Sequence, residues 1–333
     1  MKRVLIVKVT SLGDIVEALP VVADVQRAFP GVKVDWAADE AFADIVRWNA
    51  GVDRVLCAPL RRFKKARRWG DLKAIWASIS ELRAQRYDAI IDIHGVYKSA
   101  IIAFLARGRL RYGYRRESLG ETGAAFAYNR RYPPREDLLA WEGLRKTVGD
   151  TFGYAIDSAP DFGLVVPKPA TPLAGAAHAP YAMLFHATSS DEKKWPVEHW
   201  HRVGAHLREL GLTALLPWGS EAERREGEAI AAGIAGAVVL PKLSVTEVAQ
   251  HIDAAALVVG TDTGFVHLAS AVGRPTVMIF TATSVRHFGI NVPGRSVALG
   301  DAGRPAEVAE VCAAISAVLP AAGAATPPMP ATR

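Results

Sequence analysis

The stretch Val4-Leu5-Ile6-Val7-Lys8-Val9, continuing into Thr10-Ser11-Leu12-Gly13-Asp14, reads as a strand that runs through a tight turn into a helix. Val4–Val9 is short and almost continuously apolar, the pattern of a strand buried on both faces. Ile15–Phe29 then carries apolar residues at helical spacing (Ile15, Leu19, Val22, Val25) until Pro30-Gly31 stops it. A strand covered on both faces and followed directly by an amphipathic helix is the repeating unit of a parallel sheet.

Outward from this unit the alternation continues. Val32–Ala37, Arg54–Cys57 and Asp88–Ile93 read as strands, and Asp71–Ala84 and Lys98–Ala106 as helices. The pattern lapses over Asp157–Pro180, where five prolines (160, 167, 169, 172 and 180) mark a linker. It then restarts with strands at Tyr181–Phe185, Thr213–Pro217, Ala237–Leu240, Ala256–Gly260 and Thr276–Phe280. Helices are expected over Val197–Leu210, Ala222–Ala232, Val245–Ile252, Gly264–Val272 and Arg304–Leu319. A chain of 333 residues is too long for one ordinary α/β domain and suits two. The expected division is 1–160, 161–320 and an Ala/Pro-rich flexible tail at 321–333. Two α/β domains joined by such a linker imply a cleft, with ligands beyond the carboxyl ends of the strands.

Half of the residues are hydrophobic and 22% are charged, enough apolar material for a core in each domain. The net charge of +6 is uneven. Residues 1–150 hold 27 Lys/Arg against 18 Asp/Glu, and the remainder 13 against 16. An anionic partner approaching the first half is expected. Cys57 and Cys312 sit in apolar contexts without metal-ligand spacing, as buried reduced thiols do. The opening apolar run is cut at Lys8, with Asp14 and Glu17 following, unlike a secretory signal. No run approaches the ~18 apolar residues of a membrane span, so a cytoplasmic protein is expected.

Chemistry-bearing residues cluster just after the strands. Gly13 permits close approach of a substrate, and Asp14 is either a first-turn acid favoured by the helix dipole or a general base. His186–Pro196 contains Thr188, Ser189 and Lys193, either a polar loop or a cradle for phosphate. Trp195-Pro196 with His199-Trp200 reads as packing for the next helix. In Leu216–Glu223, the acid Glu223 either faces a helix N-terminus or accepts from a ribose diol. Gly260–Ala269 offers N–H groups at Thr263 and Gly264 to an anion. There Asp262 would bind sugar hydroxyls or orient those N–H groups, and His267 is a structural or ligand-binding histidine. Arg61-Arg62-Phe63-Lys64-Lys65-Ala66-Arg67-Arg68-Trp69 is a solvated face, a nucleic-acid patch, or a contact for an anionic amphiphile at a membrane, and Lys98 could extend it.

Several motifs are missing. No two glycines stand at i, i+2, so there is no G-x-G-x-x-G fingerprint, and no G-x-x-x-x-G-K-[ST] loop occurs. No two aspartates stand at i, i+2, and no His, Cys or carboxylate cluster has metal spacing. A nucleotide-sugar site of this kind would neutralise its leaving diphosphate with N–H groups, helix dipoles and cations.

The ordered set of motifs resembles the ADP-heptose:lipopolysaccharide heptosyltransferases, those of type I most closely. The likeness begins at Val4–Lys8, Ser11-Leu12-Gly13-Asp14 and Leu19-Pro20, and continues through Tyr87–Asp92 and His186-Ala187-Thr188. It ends with Lys193, Trp195-Pro196, Leu216-Pro217-Trp218-Gly219 and Asp262-Thr263-Gly264, covering nearly the whole chain. The resemblance implies a GT-B fold, two Rossmann-like domains with parallel sheets facing across a cleft. It implies an inverting transfer, needing neither cofactor nor metal, of heptose from ADP-heptose to the Kdo of Kdo2-lipid A. By match, Asp14 is the base. Thr188, Ser189, Lys193, Glu223, Asp262, Thr263, Gly264 and His267 meet the donor. Ser11, Gly13, Arg61, Arg62, Lys64, Lys65 and Lys98 meet the acceptor. A monomer resting peripherally on the cytoplasmic face of the inner membrane is expected, with no nucleic-acid partner. Alternatives are a type II or III enzyme acting on a later core acceptor, a nucleotide-sugar epimerase, and a non-catalytic nucleotide-sugar sensor. Three positions differ from the usual pattern: Ser189 for a threonine, Phe265-Val266 for Leu-Ser, and Thr281-Ala282-Thr283-Ser284 for a Gly-Pro-Thr segment.

Overall fold

A computed structural model describes residues 1–58, 69–175 and 180–319, the side chains of 69–72 excepted. The chain forms two compact units, Met1–Val165 and Val166–Arg333.

The first unit is built on six parallel strands: β1 (Arg3–Val7), β2 (Lys33–Asp39), β3 (Val52–Ala58), β4 (Tyr87–Asp92), β5 (Gly108–Gly113) and β6 (Arg130–Arg131). Their spatial order is β3-β2-β1-β4-β5-β6. β1 is the centre because Val4, Leu5, Ile6 and Val7 are all sealed from solvent, and only a strand with neighbours on both edges and helices on both faces can bury four successive side chains. The chain works outward from β1 to β3, then returns to lay β4 against the other side of β1. Loops leaving the carboxyl ends of β1 and β4 therefore diverge and leave a crevice there.

One helix expected over Ile15–Phe29 is two, Leu12–Ala18 and Pro20–Ala28. Pro20 has no N–H to continue the first helix, yet its fixed φ suits the first turn of the second. The periodicity ran through the break because Leu19 stays αR and buried. The sequence pattern did not reveal β5, β6 or the helix Ala140–Phe152. β5 carries Arg109 and Arg111 and is only half-buried, so it lacks the apolar run of an inner strand. Ala140–Phe152 ends on Gly153 at φ 75°, a left-handed cap that glycine adopts without a Cβ penalty. Its anchor is polar: buried Arg145 grips Asp24 of the helix Pro20–Ala28 through Nε at 2.7 Å and Nη2 at 2.9 Å.

The second unit repeats the plan with β7 (Tyr181–Phe185), β8 (Thr213–Leu216), β9 (Val238–Val239), β10 (Leu257–Thr261), β11 (Thr276–Ile279) and β12 (Ser296–Leu299), in the order β12-β11-β10-β7-β8-β9. Its switch point lies between β7 and β10. Trp195 and Trp200 meet edge to face at 5.3 Å in the core, and the Trp195 indole N–H donates to the Ala306 carbonyl, as expected of packing residues. The terminal helix is Val308–Val318, shorter than Arg304–Leu319, because Pro305 and the capping residue Glu307 delay its start. Edge strand β12 was not foreseen. Both cysteines are free and half-buried rather than sealed, and Cys57 Sγ accepts from Arg47 at 3.0 Å. The tail at 321–333 lies outside the described residues.

Candidate active site

At the first switch point, β1 delivers Lys8 and the following helix delivers Asp14 at its third position. Asp14 Oδ2 accepts from the Ser11 N–H at 2.8 Å and the Ser11 hydroxyl at 2.6 Å, while Oδ1 pairs with Lys8 Nζ at 2.9 Å. Burial pushes the Asp14 pKa up, but the Lys8 charge and the Ser11 hydrogen bonds outweigh it and bring the carboxyl down to about 2. The carboxylate is therefore ionised throughout the neutral range, with 43% of its side chain open to solvent. It can cap its own helix and still receive a proton.

His94 follows β4 and stands in the same crevice, a residue missed although it obeys the same after-the-strand rule as the others. Its Nδ1 accepts from the Val9 N–H at 3.2 Å. Burial, then the Lys8 charge, lower its pKa to about 4. The ring is thus neutral, with its proton on Nε2. Behind it, fully buried Asp92 takes the N–H groups of His94 and Gly95 and the Tyr128 hydroxyl, at 2.9, 3.2 and 2.8 Å. Burial raises Asp92 to about 6. Lys98 is exposed on the helix Tyr97–Leu105. Gly13 is buried in the first turn of Leu12–Ala18. Arg61, Arg62, Lys64 and Lys65 lie outside the described residues.

The second switch point gathers its residues around Asp262. One oxygen, Oδ2, takes Lys193 Nζ and the Thr283 hydroxyl, both at 2.7 Å, and Oδ1 lies 3.7 Å from His267 Nε2. The Thr188 hydroxyl donates to the Asp262 carbonyl at 3.2 Å, which ties the loop after β7 to the loop after β10. Burial opposes ionisation of Asp262, but His267, Lys193 and Thr283 together hold it well below the usual carboxylate range. Thr283 lies in the segment that departs from the family pattern, and its hydroxyl is taken up by Asp262. Thr263 caps the helix Gly264–Ala271 in an extended conformation without a side-chain bond, so the first N–H groups of that helix have no cap from it. Gly260 is required beneath them: a Cβ there would fall 2.6 Å from Val266 and 2.7 Å from Phe185. Ser189 is exposed in the same loop as Thr188.

Glu223 closes a capping box. Its Oε2 accepts from Gly219 N–H at 2.7 Å and Ser220 N–H at 3.2 Å, and its own N–H donates to Ser220 Oγ. It sits half-buried beyond β8 with Oε1 outside that box. Among the described residues, no group of three His, Cys, Asp or Glu side chains is placed to hold a metal ion. Among them, too, no helix is long and apolar enough to cross a membrane.

Residues 75–312 match the model of glycosyltransferase family 9, the heptosyltransferases. The chain belongs to this family. It is 37% identical over 283 residues to lipopolysaccharide heptosyltransferase 1 of Escherichia coli K12, an alignment spanning 84% of this chain and 88% of that protein. It is similar in structure to the E. coli heptosyltransferase WaaC solved with ADP, at a TM-score of 0.80 and 33% identity over 94% of this chain and 98% of that one. The same enzyme with ADP-2-deoxy-2-fluoro heptose matches at a TM-score of 0.76, with the same identity and coverage. The architecture is thus α/β and GT-B, two Rossmann-like units each with a parallel sheet, and the family member is a glycosyltransferase.

Proposed function

We propose that this heptosyltransferase moves heptose from ADP-heptose to the Kdo of Kdo2-lipid A, with inversion at the anomeric carbon and without need of a metal. The supporting observation is the Asp14 carboxylate, held ionised by Lys8 and Ser11 at the first switch point. Similarity to lipopolysaccharide heptosyltransferase 1 favours the type I acceptor.

The acceptor hydroxyl oxygen forms a bond to the anomeric carbon while the bond from that carbon to the ADP oxygen breaks. The hydroxyl proton passes to Asp14, and ADP departs with its charge. Because Asp14 is a weak base, the proton moves late, once the attacking oxygen has become acidic through bonding. The leaving diphosphate needs charge stabilisation rather than protonation. Lys193 and the N–H groups of Thr263 and Gly264 supply it, with the hydroxyls of Thr188 and Ser189. Asp262 and His267 receive sugar hydroxyls, and Glu223 the ribose. Ser11, Gly13 and Lys98, with Arg61, Arg62, Lys64 and Lys65, face the anionic acceptor. In this reading residues 1–160 bind the acceptor and 161–320 the donor, and a monomer works at the cytoplasmic membrane surface.

ADP release from ADP-heptose, with and without Kdo2-lipid A, tests this. The native chain should release ADP only with the acceptor, and Asp14→Ala should lose about 10²–10⁴-fold. Release with heptosylated core alone would move the acceptor outward. Turnover of donor without acceptor would refute the transferase reading.

A further inference from the structure

The first unit contains a cavity of about 600 Å³ whose apolar walls have no part in the transfer chemistry. Its walls are largely aliphatic: Leu56 from β3, Ile75 and Ile79 from the helix Trp69–Arg83, and Ile101, Ile102 and Leu105 from the helix Tyr97–Leu105. Its polar lining comprises Thr10, Ser11, Asp39, Ser78 and Lys98, with Cys57 and the Tyr97 ring. Ser11 and Lys98 are exposed, so the cavity meets solvent on the side where Ser11 holds Asp14. An apolar space thus begins one hydrogen bond from the carboxylate that receives the acceptor hydroxyl.

The helix between cavity and solvent is itself unusual. Tyr97, Ile101 and Phe104 follow helical spacing and remain 49%, 47% and 52% exposed. Phe104 packs against exposed Phe126 at 5.7 Å between ring centroids, with the Arg111 guanidinium over it. Tyr97 and Ile101 also line the cavity, so the exposed stripe and the cavity form one continuous apolar surface. Branched aliphatic walls suit a saturated chain, and exposed Lys98 in the lining can meet an anionic head attached to that chain.

We propose that this cavity receives one acyl chain of the acceptor lipid, so that alkyl burial helps to place the sugar hydroxyl at Asp14. This rests on the lipid acceptor proposed above. It adds a second, apolar recognition element on the first unit, adjoining the charged contact at Lys98.

The full chain is irradiated with dodecyl phosphate bearing a terminal diazirine, and the labelled peptides are mapped by mass spectrometry. Label should fall within residues 75–82 and on Ile101, Ile102 or Leu105. It should drop at least about tenfold in Ser78→Trp, which fills the space, and in Ile79→Asn, which makes a wall polar. Circular dichroism checks that each variant is folded, and two different wall changes guard against failure of either one. In the transfer assay, Ser78→Trp should raise KM for fully acylated acceptor and leave KM for the acyl-free headgroup unchanged. Label on Phe104 or Phe126 alone, or label indifferent to both substitutions, would overturn the proposal, as would an equal KM rise for both acceptors. A native chain that labels in the cavity yet transfers to neither acceptor would instead refute the transferase reading and leave an alkyl-binding site.

Discussion

Replacing Lys8 by Met removes the cation 2.9 Å from Asp14 while keeping a side chain of similar length in a site that is nearly closed. The Asp14 carboxyl stands at about 2 against an ordinary value of 3.8. Burial alone would raise it, so the lowering comes from Lys8 first and Ser11 second. Removing an opposite charge at this distance normally moves a carboxylate by about 1–3 units. Asp14 is 43% exposed, so solvent screens the pair and the lower half of that range is expected. A variant pKa of ~4 would leave roughly half of Asp14 ionised at pH 4, against nearly all of it in the native chain. The assay is kcat/KM for ADP release from pH 4 to 8, read as the ratio of Lys8→Met to native. Asp92, raised to about 6, titrates in both proteins and divides out of that ratio. The ratio should be level near neutrality and fall about twofold towards pH 4. High salt should shrink the difference. A ratio that stays flat would refute the coupling of Lys8 to the base. The same depressed pKa bears on stability: it favours the folded state above the ordinary carboxylate range, and that contribution is lost as pH falls from about 4 to about 2.

Lys193→Ala should weaken ADP-heptose binding about 10- to 100-fold by calorimetry, the equivalent of one charged hydrogen bond, because Asp262 then faces the donor without its cation. Glu223→Gln keeps an oxygen for the Gly219 and Ser220 N–H groups, so the melting temperature should hold while ADP affinity falls about tenfold. Loss of stability without loss of affinity would make Glu223 a cap alone. Arg145→Met should cost about 3 kcal/mol in urea unfolding, since it leaves buried Asp24 only the part-exposed Arg27 as a partner, and adding Asp24→Leu should recover part of that. Equal stability of the single and double variants would show that the pair contributes nothing by its charge.

Reading the sequence was most effective where one physical signal dominated. Val4–Val7 reads as an inner strand because its run is continuously apolar, and all four side chains are sealed, while Trp195 and Trp200 are packed in the core. It failed where the signal was mixed. β5 is an edge-side strand with two arginines, and its alternation is too weak to separate from a loop. The break at Pro20 was hidden because both helices use one apolar face across Leu19. Arg145 carried no mark of burial, since a charged residue is normally exposed until a partner 121 positions away is known.

The sequence by itself determined the alternation of strands and helices, the positions of Asp14, Lys193 and Asp262 just beyond strands, and the family, because these follow from local spacing and ordered motifs. Tertiary structure alone decided which of those positions meet. The parallel order brings the loop after β7 beside the loop after β10, so Thr188 reaches the Asp262 carbonyl while Lys193 and Thr283 share its carboxylate, though these residues span nearly a hundred positions. It likewise sets His94 beside Lys8 and Asp14, and opens an apolar cavity whose walls come from three separate elements. Such contacts depend on crossover direction and strand order, which the folded sheet imposes and local spacing does not encode.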